Sequence, residues 1–324
     1  MTKQPLTLLV IADPAAPFLS ALARLPQDLR LVVSDDAERL KASAPEADAI
    51  LYAHVNNGLM ATILPLAENL RWIHCLWTGV EGILIPELLR HLAPLTNGRG
   101  AFREPLADWV AAAMLFFSFD LRRLIQQQER GIWQPFIGAT LKERVLGIVG
   151  YGSIGSAAAT RARQFGMKIA AMRRRPKRFE GDVQIDRIYA AEELGELAHA
   201  SDYVLVATPL TPETRGLIDE EIIAAMKPSA VIINIGRGPV IDEVALIRAL
   251  DARKIRGAAL DVFNTEPLPP DHPFWQMDNV LLSPHTADRI EGFLDPAFDR
   301  FFENLARFRT NEPLLNIVDK QAGY

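Results

Sequence analysis

Short apolar runs of strand length alternate with helix-like or polar stretches along most of this chain. This alternation predicts parallel sheets, because two parallel strands can be joined only by a long crossover, which is usually a helix. The candidate strands form two series, Leu6–Ala12, Leu29–Ser34, Ala49–Ala53 and Leu70–Leu76 in the first, and Val145–Val149, Lys168–Met172, Tyr203–Ala207, Ala230–Asn234, Ala258–Phe263 and Val280–Ser283 in the second. Since the chain has 324 residues, we expect two α/β domains.

A break in the pattern and one long helix separate the two series. Proline, asparagine and glycine cluster at Pro94–Gly100, where we expect the chain to cross between domains. Apolar residues then recur every three or four positions over 105–124, which predicts a single helix with Pro105 in its first turn. Its apolar surface fits burial in a core or against a second subunit equally well. Further helices are predicted at Ser156–Gln164, Pro212–Met226, Glu243–Leu250 and Gly292–Arg309.

Composition excludes several classes of protein. Hydrophobic residues make up 49% and charged residues 23%, so the chain can bury a core and is not intrinsically disordered. Cys75 is the only cysteine, which excludes an intramolecular disulfide and a multi-cysteine zinc site. The net charge of −5 argues against nucleic-acid coating, and the longest apolar stretch, Trp109–Phe117, is too short for a bilayer. We therefore expect a cytoplasmic protein with neither a metal nor a membrane or nucleic-acid partner.

A glycine pattern joins the first strand and the first helix of the second series. Val145–Val149 leads into Gly150-Tyr151-Gly152-Ser153-Ile154-Gly155, and a helix of small residues follows. A bare G-x-G-x-x-G pattern occurs by chance, but here it has the strand and helix context of a dinucleotide site. There the first glycine permits the tight turn, the second leaves room for a diphosphate, and the third lets helix and strand pack closely. A structural turn is the alternative, and the context favours dinucleotide binding.

Basic residues follow the second strand of this series. Arg173 and Arg174 begin a run that reaches Arg178, at the position where dinucleotide-binding folds usually carry an acid that bonds the ribose 2′-OH. An acid would repel a 2′-phosphate, whereas guanidinium groups pair with it. A solvated cluster or a nucleic-acid patch would have the same charges, but the position and the acidic net charge favour a 2′-phosphate site. We therefore expect NADP(H) to be preferred, with NAD(H) as the other coenzyme.

Three polar side chains each follow a late strand of the second series. They are Arg237, Glu266 and His285. In an open α/β sheet, ligands bind outside the carboxyl ends of the strands, where these three residues would gather. Each alone has an ordinary interpretation, as a salt-bridged arginine, a surface glutamate or a core histidine. Three such positions in one domain predict an active site instead.

These segments resemble the D-isomer-specific 2-hydroxyacid dehydrogenases, and within them the glyoxylate and hydroxypyruvate reductases. The joint presence of the motifs is highly specific, and the likeness covers nearly the whole chain. One departure is Asp108, where the family is expected to have a glutamate. The matching stretches are Gly147–Gly155, Asp202–Gly216, Met226–Asp242, Gly257–Pro269 and Ser283–Ala287, with weaker agreement at Trp77–Gly82 and Asn97–Trp109.

The resemblance implies a fold and a set of roles. The fold would have two Rossmann-like or flavodoxin-like parallel-sheet domains, with a dinucleotide-binding domain at 99–288 inserted into a discontinuous substrate domain at 1–98 and 289–324. Arg237 would hold the substrate carboxylate and 2-oxo oxygen, His285 would be the acid/base, and Glu266 would orient and charge His285. Backbone N–H groups at Thr78 and Gly79 would also bind the substrate. The residues assigned to the cofactor are Gly150, Gly152, Ser153, Ile154, Gly155, Arg173, Arg174, Thr208, Pro209, Ile235, Gly236, Arg237 and Asp261.

The resemblance thus favours one function over three others. We expect a homodimeric oxidoreductase that uses NADPH to reduce a small 2-oxo acid, such as glyoxylate or hydroxypyruvate, to a D-2-hydroxy acid. The alternative from another class is a dinucleotide-sensing, corepressor-like binding protein. A formate- or phosphite-oxidising enzyme is a third possibility. A phosphoglycerate dehydrogenase is disfavoured, because no regulatory domain follows Val318.

Overall fold

The computed structural model describes residues 5–54, 58–172 and 184–324. The chain divides into two compact units. The first unit comprises Met1–Phe102 and Glu291–Tyr324, and the second unit is Arg103–Ile290. Within the described ranges, no helix combines the length and apolar character needed to cross a membrane.

Strands and helices alternate through both units. The strands are β1 Thr7–Ile11, β2 Arg30–Ser34, β3 Ala49–Tyr52, β4 Trp72–Cys75, β5 Leu95–Asn97, β6 Val145–Val149, β7 Lys168–Met172, β8 Arg187–Tyr189, β9 Tyr203–Val206, β10 Val231–Asn234, β11 Gly257–Leu260 and β12 Val280–Leu282. The helices are α1 Ala37–Ser43, α2 Gly58–Ile63, α3 Pro86–Arg90, α4 Arg103–Ser118, α5 Leu121–Glu129, α6 Ser153–Gln164, α7 Leu194–Ala200, α8 Glu220–Ala225, α9 Glu243–Asp251 and α10 Asp295–Thr310. Short 3-10 helices lie at Pro17–Arg24, Ala44–Glu46, Leu64–Leu66, Ala191–Glu193, Gly238–Val240 and Pro273–Gln276.

The first unit is built on a five-stranded parallel sheet with the order β2-β1-β3-β4-β5. All the residues of β1 are buried, as expected for a central strand covered on both faces. Aliphatic side chains of α1, α2 and α3 pack in one core with those of the strands. Helix α10 contributes Phe301, whose ring stacks on that of Trp72 with centroids 5.6 Å apart.

The second unit contains a seven-stranded parallel sheet with the order β12-β11-β10-β9-β6-β7-β8. The chain builds outward from β6 to β8, then returns and builds the other half from β9 to β12. Strands β6 and β9 are therefore neighbours at the point where the strand order reverses, which is where ligands bind in sheets of this kind. The two parallel sheets confirm the predicted α/β fold class.

The helix predicted over 105–124 is in fact two helices, and that prediction was wrong. Helix α4 ends at Ser118, α5 begins at Leu121, and Asp120 between them has φ of 50°. The carbonyl of Ser118 accepts a hydrogen bond from the Ala139 N–H at 2.8 Å. A segment distant in sequence thus holds the end of α4, while the apolar periodicity continues across the break.

Three further elements differ from what the sequence indicated. The break expected at Pro94–Gly100 contains the short strand β5, which pairs with β4. The sequence analysis also missed β8, a three-residue edge strand. The helix predicted at Pro212–Met226 is limited to α8, because Asp219 ends the preceding loop and its side chain accepts a hydrogen bond from the Ile222 N–H at 2.9 Å.

A histidine is enclosed in the core of the first unit. His74 on β4 has no exposed surface, and its Nδ1 lies 2.7 Å from Thr96 Oγ1. Its Nε2 has no hydrogen-bond partner among the residues that the structure describes, and the rings of Trp72 and Phe301 lie beside it. Burial, aided by the positive charge of Arg300, lowers the pKa of His74 to about 3.

Acid is expected to destabilise the first unit through His74. Because its pKa is lowered in the folded state, the stability is present above the unfolded pKa of 6.5 and is lost as the pH falls toward about 3. Over that window the free energy of unfolding should fall by about 1.4 kcal/mol per pH unit on account of this group. The His74→Phe variant keeps an aromatic ring at this position but has no group that titrates there. The part of the pH dependence that is due to His74 should therefore disappear, and denaturant titrations at neutral and mildly acidic pH would measure this. Equal pH dependence in the two proteins would contradict the assignment.

Candidate active site and dinucleotide loop

The three polar residues singled out in the sequence follow three neighbouring strands. Arg237 comes after β10, Glu266 after β11 and His285 after β12, and these strands are adjacent in the sheet. Since all three strands are parallel, their carboxyl ends lie at one edge. The order of the strands therefore brings the three residues to the same edge of the sheet.

His285 and Glu266 form a hydrogen-bonded pair. Nδ1 of His285 lies 2.7 Å from Oε2 of Glu266, and Oε1 of Glu266 accepts a hydrogen bond from the Phe263 N–H at 2.9 Å. Both carboxylate oxygens are thus held, and Nδ1–H of the imidazole donates to the carboxylate. The other ring nitrogen, Nε2, is the atom through which His285 can exchange a proton with a ligand.

The pair shifts the pKa of each partner in a useful direction. The hydrogen bond to Glu266 and its negative charge raise the pKa of His285 above its usual range, and they outweigh burial and the positive charge of Arg237. Burial alone would raise the pKa of Glu266, but hydrogen bonds from His285 and Phe263 and the charges of His285 and Arg237 lower it. The arrangement therefore favours an imidazolium beside an ionised carboxylate.

A buried carboxylate holds the turn that carries His285. Asp261 accepts hydrogen bonds from the N–H groups of Thr286 at 2.9 Å and Ala287 at 3.1 Å, and from the Ser283 hydroxyl. The backbone carbonyl of Asp261 accepts a further bond from the His285 N–H at 2.9 Å. His285 has φ of 52°, an unfavourable conformation for a residue with a side chain, and these bonds maintain it.

Arg237 follows a turn organised by Asn234. The Asn234 side chain accepts from the Gly236 N–H at 3.0 Å and donates to the Arg237 carbonyl at 3.1 Å. Nη1 of Arg237 donates to the Gly236 carbonyl at 2.7 Å, which holds the half-buried guanidinium. Gly236 itself lies against Thr208, since a Cβ there would meet the Thr208 carbonyl oxygen at 2.8 Å.

The glycine loop fits a dinucleotide diphosphate. Gly150 has φ of 97°, and a Cβ at Gly155 would lie 2.8 Å from the Gly150 carbonyl oxygen, so both glycines serve the fold. At Gly152, by contrast, a Cβ would meet nothing within 4 Å. Helix α6 starts directly after Gly152 and has no side-chain cap, so its N-terminal amides can bind an anion that approaches through this open space.

The other residues expected to bind the cofactor lie at the start of α6 and after strands β9 and β10. Ser153 and Ile154 form the start of α6, and Thr208 and Pro209 follow β9, next to β6 at the switch point. Thr208 Oγ1 is buried and lacks a hydrogen-bond partner within the described residues, so it can bind a polar ligand. Ile235 is buried directly after β10.

Two further sets of residues were predicted to bind the coenzyme and the substrate. Arg173 and Arg174 lie outside the described residues. Thr78 and Gly79 belong to the first unit, in the loop after β4, where the Thr78 carbonyl accepts a hydrogen bond from Asn97 Nδ2 at 2.7 Å. Among the described residues, no group of three or more His, Cys, Asp and Glu side chains is arranged to hold a metal ion.

Comparison with known proteins identifies the family. The family model for the NAD binding domain of the D-isomer specific 2-hydroxyacid dehydrogenases matches residues 111–287, which is more than half of the chain. The chain belongs to this family. It is therefore an NAD(P)-dependent D-2-hydroxyacid dehydrogenase, an oxidoreductase that acts on the CH–OH group of donors.

Individual relatives of this dehydrogenase extend over nearly its whole length. The glyoxylate reductase of Korarchaeum cryptofilum is 32% identical over 296 residues, which cover 88% of this chain and 85% of that protein. The structure of a D-isomer specific 2-hydroxyacid dehydrogenase from Xanthobacter autotrophicus Py2, in complex with NADPH and MES, is 30% identical with a TM-score of 0.83 and covers 99% and 100% of the two chains. The NADPH-dependent glyoxylate/hydroxypyruvate reductase of Sinorhizobium meliloti, in complex with NADP and sulfate, is 26% identical with a TM-score of 0.86 and covers 98% and 100%.

Two residues of the dehydrogenase site were missed in the sequence. Asn234 organises the turn before Arg237, and Ser283 donates its hydroxyl to Asp261. Each is a polar residue at the end of an apolar strand, and this position is the feature by which the sequence could have indicated a role in the site. Neither carries a charge that would have attracted attention.

Alanine substitutions in the glycine loop are expected to separate folding from cofactor binding. Gly152→Ala places a methyl group in open space and should leave the melting temperature of the dehydrogenase unchanged. The same methyl group would meet the diphosphate, and a steric cost of about 1–3 kcal/mol corresponds to a loss of NADPH affinity of roughly 5- to 150-fold. Gly155→Ala is the matched control, because its methyl group meets the Gly150 carbonyl and should lower the melting temperature. Calorimetric NADPH titration of a folded Gly152→Ala protein with unchanged affinity would show that the diphosphate binds elsewhere.

Proposed function

We propose that this dehydrogenase reduces a short 2-oxo acid of the glyoxylate or hydroxypyruvate kind to a D-2-hydroxy acid, with NADPH as the preferred coenzyme. The observation that carries the proposal is the His285–Glu266 pair, at 2.7 Å, with the positive charge of Arg237 acting on both residues. Reduction of a ketone develops negative charge on its oxygen. A proton donor and a cation at one sheet edge fit that need.

His285 acts as the proton donor in reduction. Because Nδ1 faces Glu266, Nε2 is left to deliver the proton to the oxygen of the substrate. The raised pKa of His285 favours the imidazolium, and the lowered pKa of Glu266 favours an ionised carboxylate beside it. In the oxidation direction, neutral His285 would accept the proton from the hydroxy acid.

Arg237 holds the substrate carboxylate and its 2-oxo oxygen. The guanidinium is always charged and offers several donors in a fixed plane, which suits an oxo acid. Backbone N–H groups at Thr78 and Gly79 bind the same carboxylate. We therefore assign residues 1–98 and 289–324 to the substrate domain and residues 99–288 to the dinucleotide-binding domain.

The coenzyme supplies the hydride when it is bound. Gly150, Gly152 and Gly155 form the turn that receives the diphosphate, and Ser153 and Ile154 present the first amides of α6. Arg173 and Arg174 bind the 2′-phosphate. The solved relatives from Xanthobacter autotrophicus and Sinorhizobium meliloti hold NADPH and NADP, which supports this coenzyme. The residues that face the nicotinamide and its ribose are Thr208, Pro209, Ile235, Gly236, Arg237 and Asp261.

The dehydrogenase functions as a homodimer in the cytoplasm. Several large apolar side chains of the second unit are exposed near the junction of α4 and α5, and Trp133 and Ile137 are 95% and 98% exposed. Burial of such a surface against a second copy would be favourable. The single cysteine fits a reducing compartment.

Turnover is expected with a panel of 2-oxo acids. Glyoxylate, hydroxypyruvate, pyruvate and phenylpyruvate should be tested with both coenzymes, and chiral products should be the D isomers. His285→Ala should lose about 10²–10⁴-fold, mainly in kcat, because it removes the positioned acid. Predominantly L product would refute the proposal. Dinucleotide binding without turnover of any acid would favour a binding protein instead.

NADPH is expected to be preferred to NADH. A charge-assisted contact of roughly 1.5–3 kcal/mol corresponds to a preference of about tenfold or more in affinity. Replacing Arg173 and Arg174 by alanine should remove most of this preference through weaker NADPH binding, whereas Arg253→Ala, at a surface pair with Asp278, should not. Equal kcat/KM values for the two coenzymes in the unmodified enzyme would exclude the assignment.

Reduction is expected to depend on the charge of Glu266. His285 has a raised pKa, so reduction should hold at neutral pH and fall as the pH rises through that raised value. Glu266→Gln removes the main cause of the shift and should move this alkaline limb of kcat/KM to lower pH. Glu196→Gln, which alters an exposed pair with Arg187, is the control and should leave the limb in place. A limb that stays unmoved in Glu266→Gln would show that Glu266 does not tune His285.

A further inference from the structure

A second carboxylate supports the segment that carries Glu266. Glu243 is the first residue of α9, and its Oε2 accepts a hydrogen bond from the Asn264 N–H at 3.3 Å. Its Oε1 lies 3.5 Å from Nε2 of His272. One side chain thus contacts both ends of the segment 264–272, and Glu266 lies between these two contacts.

The orientation of His272 fits this contact. Its Nδ1 accepts a hydrogen bond from the Phe274 N–H at 3.4 Å, so the neutral imidazole carries its proton on Nε2, which faces Glu243. The ring also packs against that of Phe274, with centroids 4.8 Å apart, and Phe274 is buried. The side chains of His272 and Glu243 are only 15% and 19% exposed, so water competes weakly for the contact.

Glu243 is not among the charges that act most strongly on His285. The leading charges are those of Glu266, Arg237 and Asp261. Arg237 follows β10, and Asp261 and Glu266 both follow β11. Glu243 instead fixes the backbone at Asn264, one residue after Phe263, whose N–H holds the Glu266 carboxylate. These contacts connect Glu243 to His285 through the position of Glu266.

We propose that Glu243 is a positioning residue for the reduction, which with His272 holds segment 264–272 so that the Glu266 carboxylate stays against Nδ1 of His285. The kinetic part of this inference rests on the proposed function. A role confined to helix stability is the competing explanation, since acids are favourable in the first turn of a helix. Helix α9 already has a cap, because the Asp242 side chain accepts a hydrogen bond from the Ala245 N–H at 3.0 Å.

Helix α8 provides a closely matched control. Glu220 is also the first residue of a helix and also follows a capping aspartate, Asp219. Its carboxylate contacts Arg248 at 3.2 Å, away from segment 264–272. Glu220→Ala thus removes the same charge from the same helix position, but leaves the support of Glu266 intact.

The test compares Glu243→Ala, Glu243→Gln and Glu220→Ala in the full-length protein. Two readouts are the alkaline limb of kcat/KM for reduction and the titration of His285 by NMR on histidine-labelled protein, with His285→Ala assigning the signal. Glu243→Ala should move both to lower pH and reduce kcat by about 10- to 100-fold, as expected for a misplaced catalytic group. Glu243→Gln keeps one acceptor oxygen and should shift the alkaline limb and the His285 titration in the same direction, but by less. If the alanine variant does not fold, the glutamine variant provides the test. Glu220→Ala should change neither.

A double variant tests whether the effect passes through Glu266. In the Glu266→Gln background, Glu243→Ala should cause no further movement of the limb or of the His285 titration. An additive shift there, or an unmoved titration in the folded single variants, would overturn the proposal. The NMR titration needs no substrate, so it still decides the question if no 2-oxo acid is reduced and the proposed function fails.

Discussion

The carboxylate of Asp261 accepts hydrogen bonds from three groups in the turn that carries His285, and the geometry of the site depends on them. Burial raises the pKa of Asp261, and the same hydrogen bonds oppose that rise. Together with its carbonyl, which binds the His285 N–H, the residue keeps His285 in a left-handed conformation. A strained backbone persists only where its surroundings over-determine it, and Asp261 supplies those surroundings here.

The sequence predicted the elements that local pattern determines and missed those that tertiary contacts determine. Long apolar runs such as β6 and β7 were located at their observed bounds, because buried parallel strands are apolar throughout. Strands β5 and β8 were missed, because each has three residues that include polar ones and neither forms a continuous apolar run. At the break before α5, the Ser118 carbonyl accepts a hydrogen bond from the Ala139 N–H, a contact distant in sequence that no periodicity records.

The candidate site could be located from the sequence because parallel strands collect their carboxyl ends at one edge. Arg237, Glu266 and His285 were found by that argument, and their roles stay predictions. The supporting contacts could not be predicted in the same way. Glu243 precedes Asn264 by 21 positions, and only the folded chain shows that the two are bonded. Spacing along the chain therefore finds the reactive groups more readily than the groups that orient them.

The position of β12 in the sheet has a consequence for how the enzyme loses activity on heating. This strand has three residues, forms one edge of the sheet and, within the described part of the chain, pairs only with β11. Edge elements with few backbone hydrogen bonds open locally at a lower free energy than central strands. The turn that carries His285 begins directly after β12, so fraying of that edge would displace the imidazole while the central strands stay paired. Thermal inactivation would then occur at a lower temperature than global unfolding. The half-life of activity at a given temperature would reflect the local stability of β12.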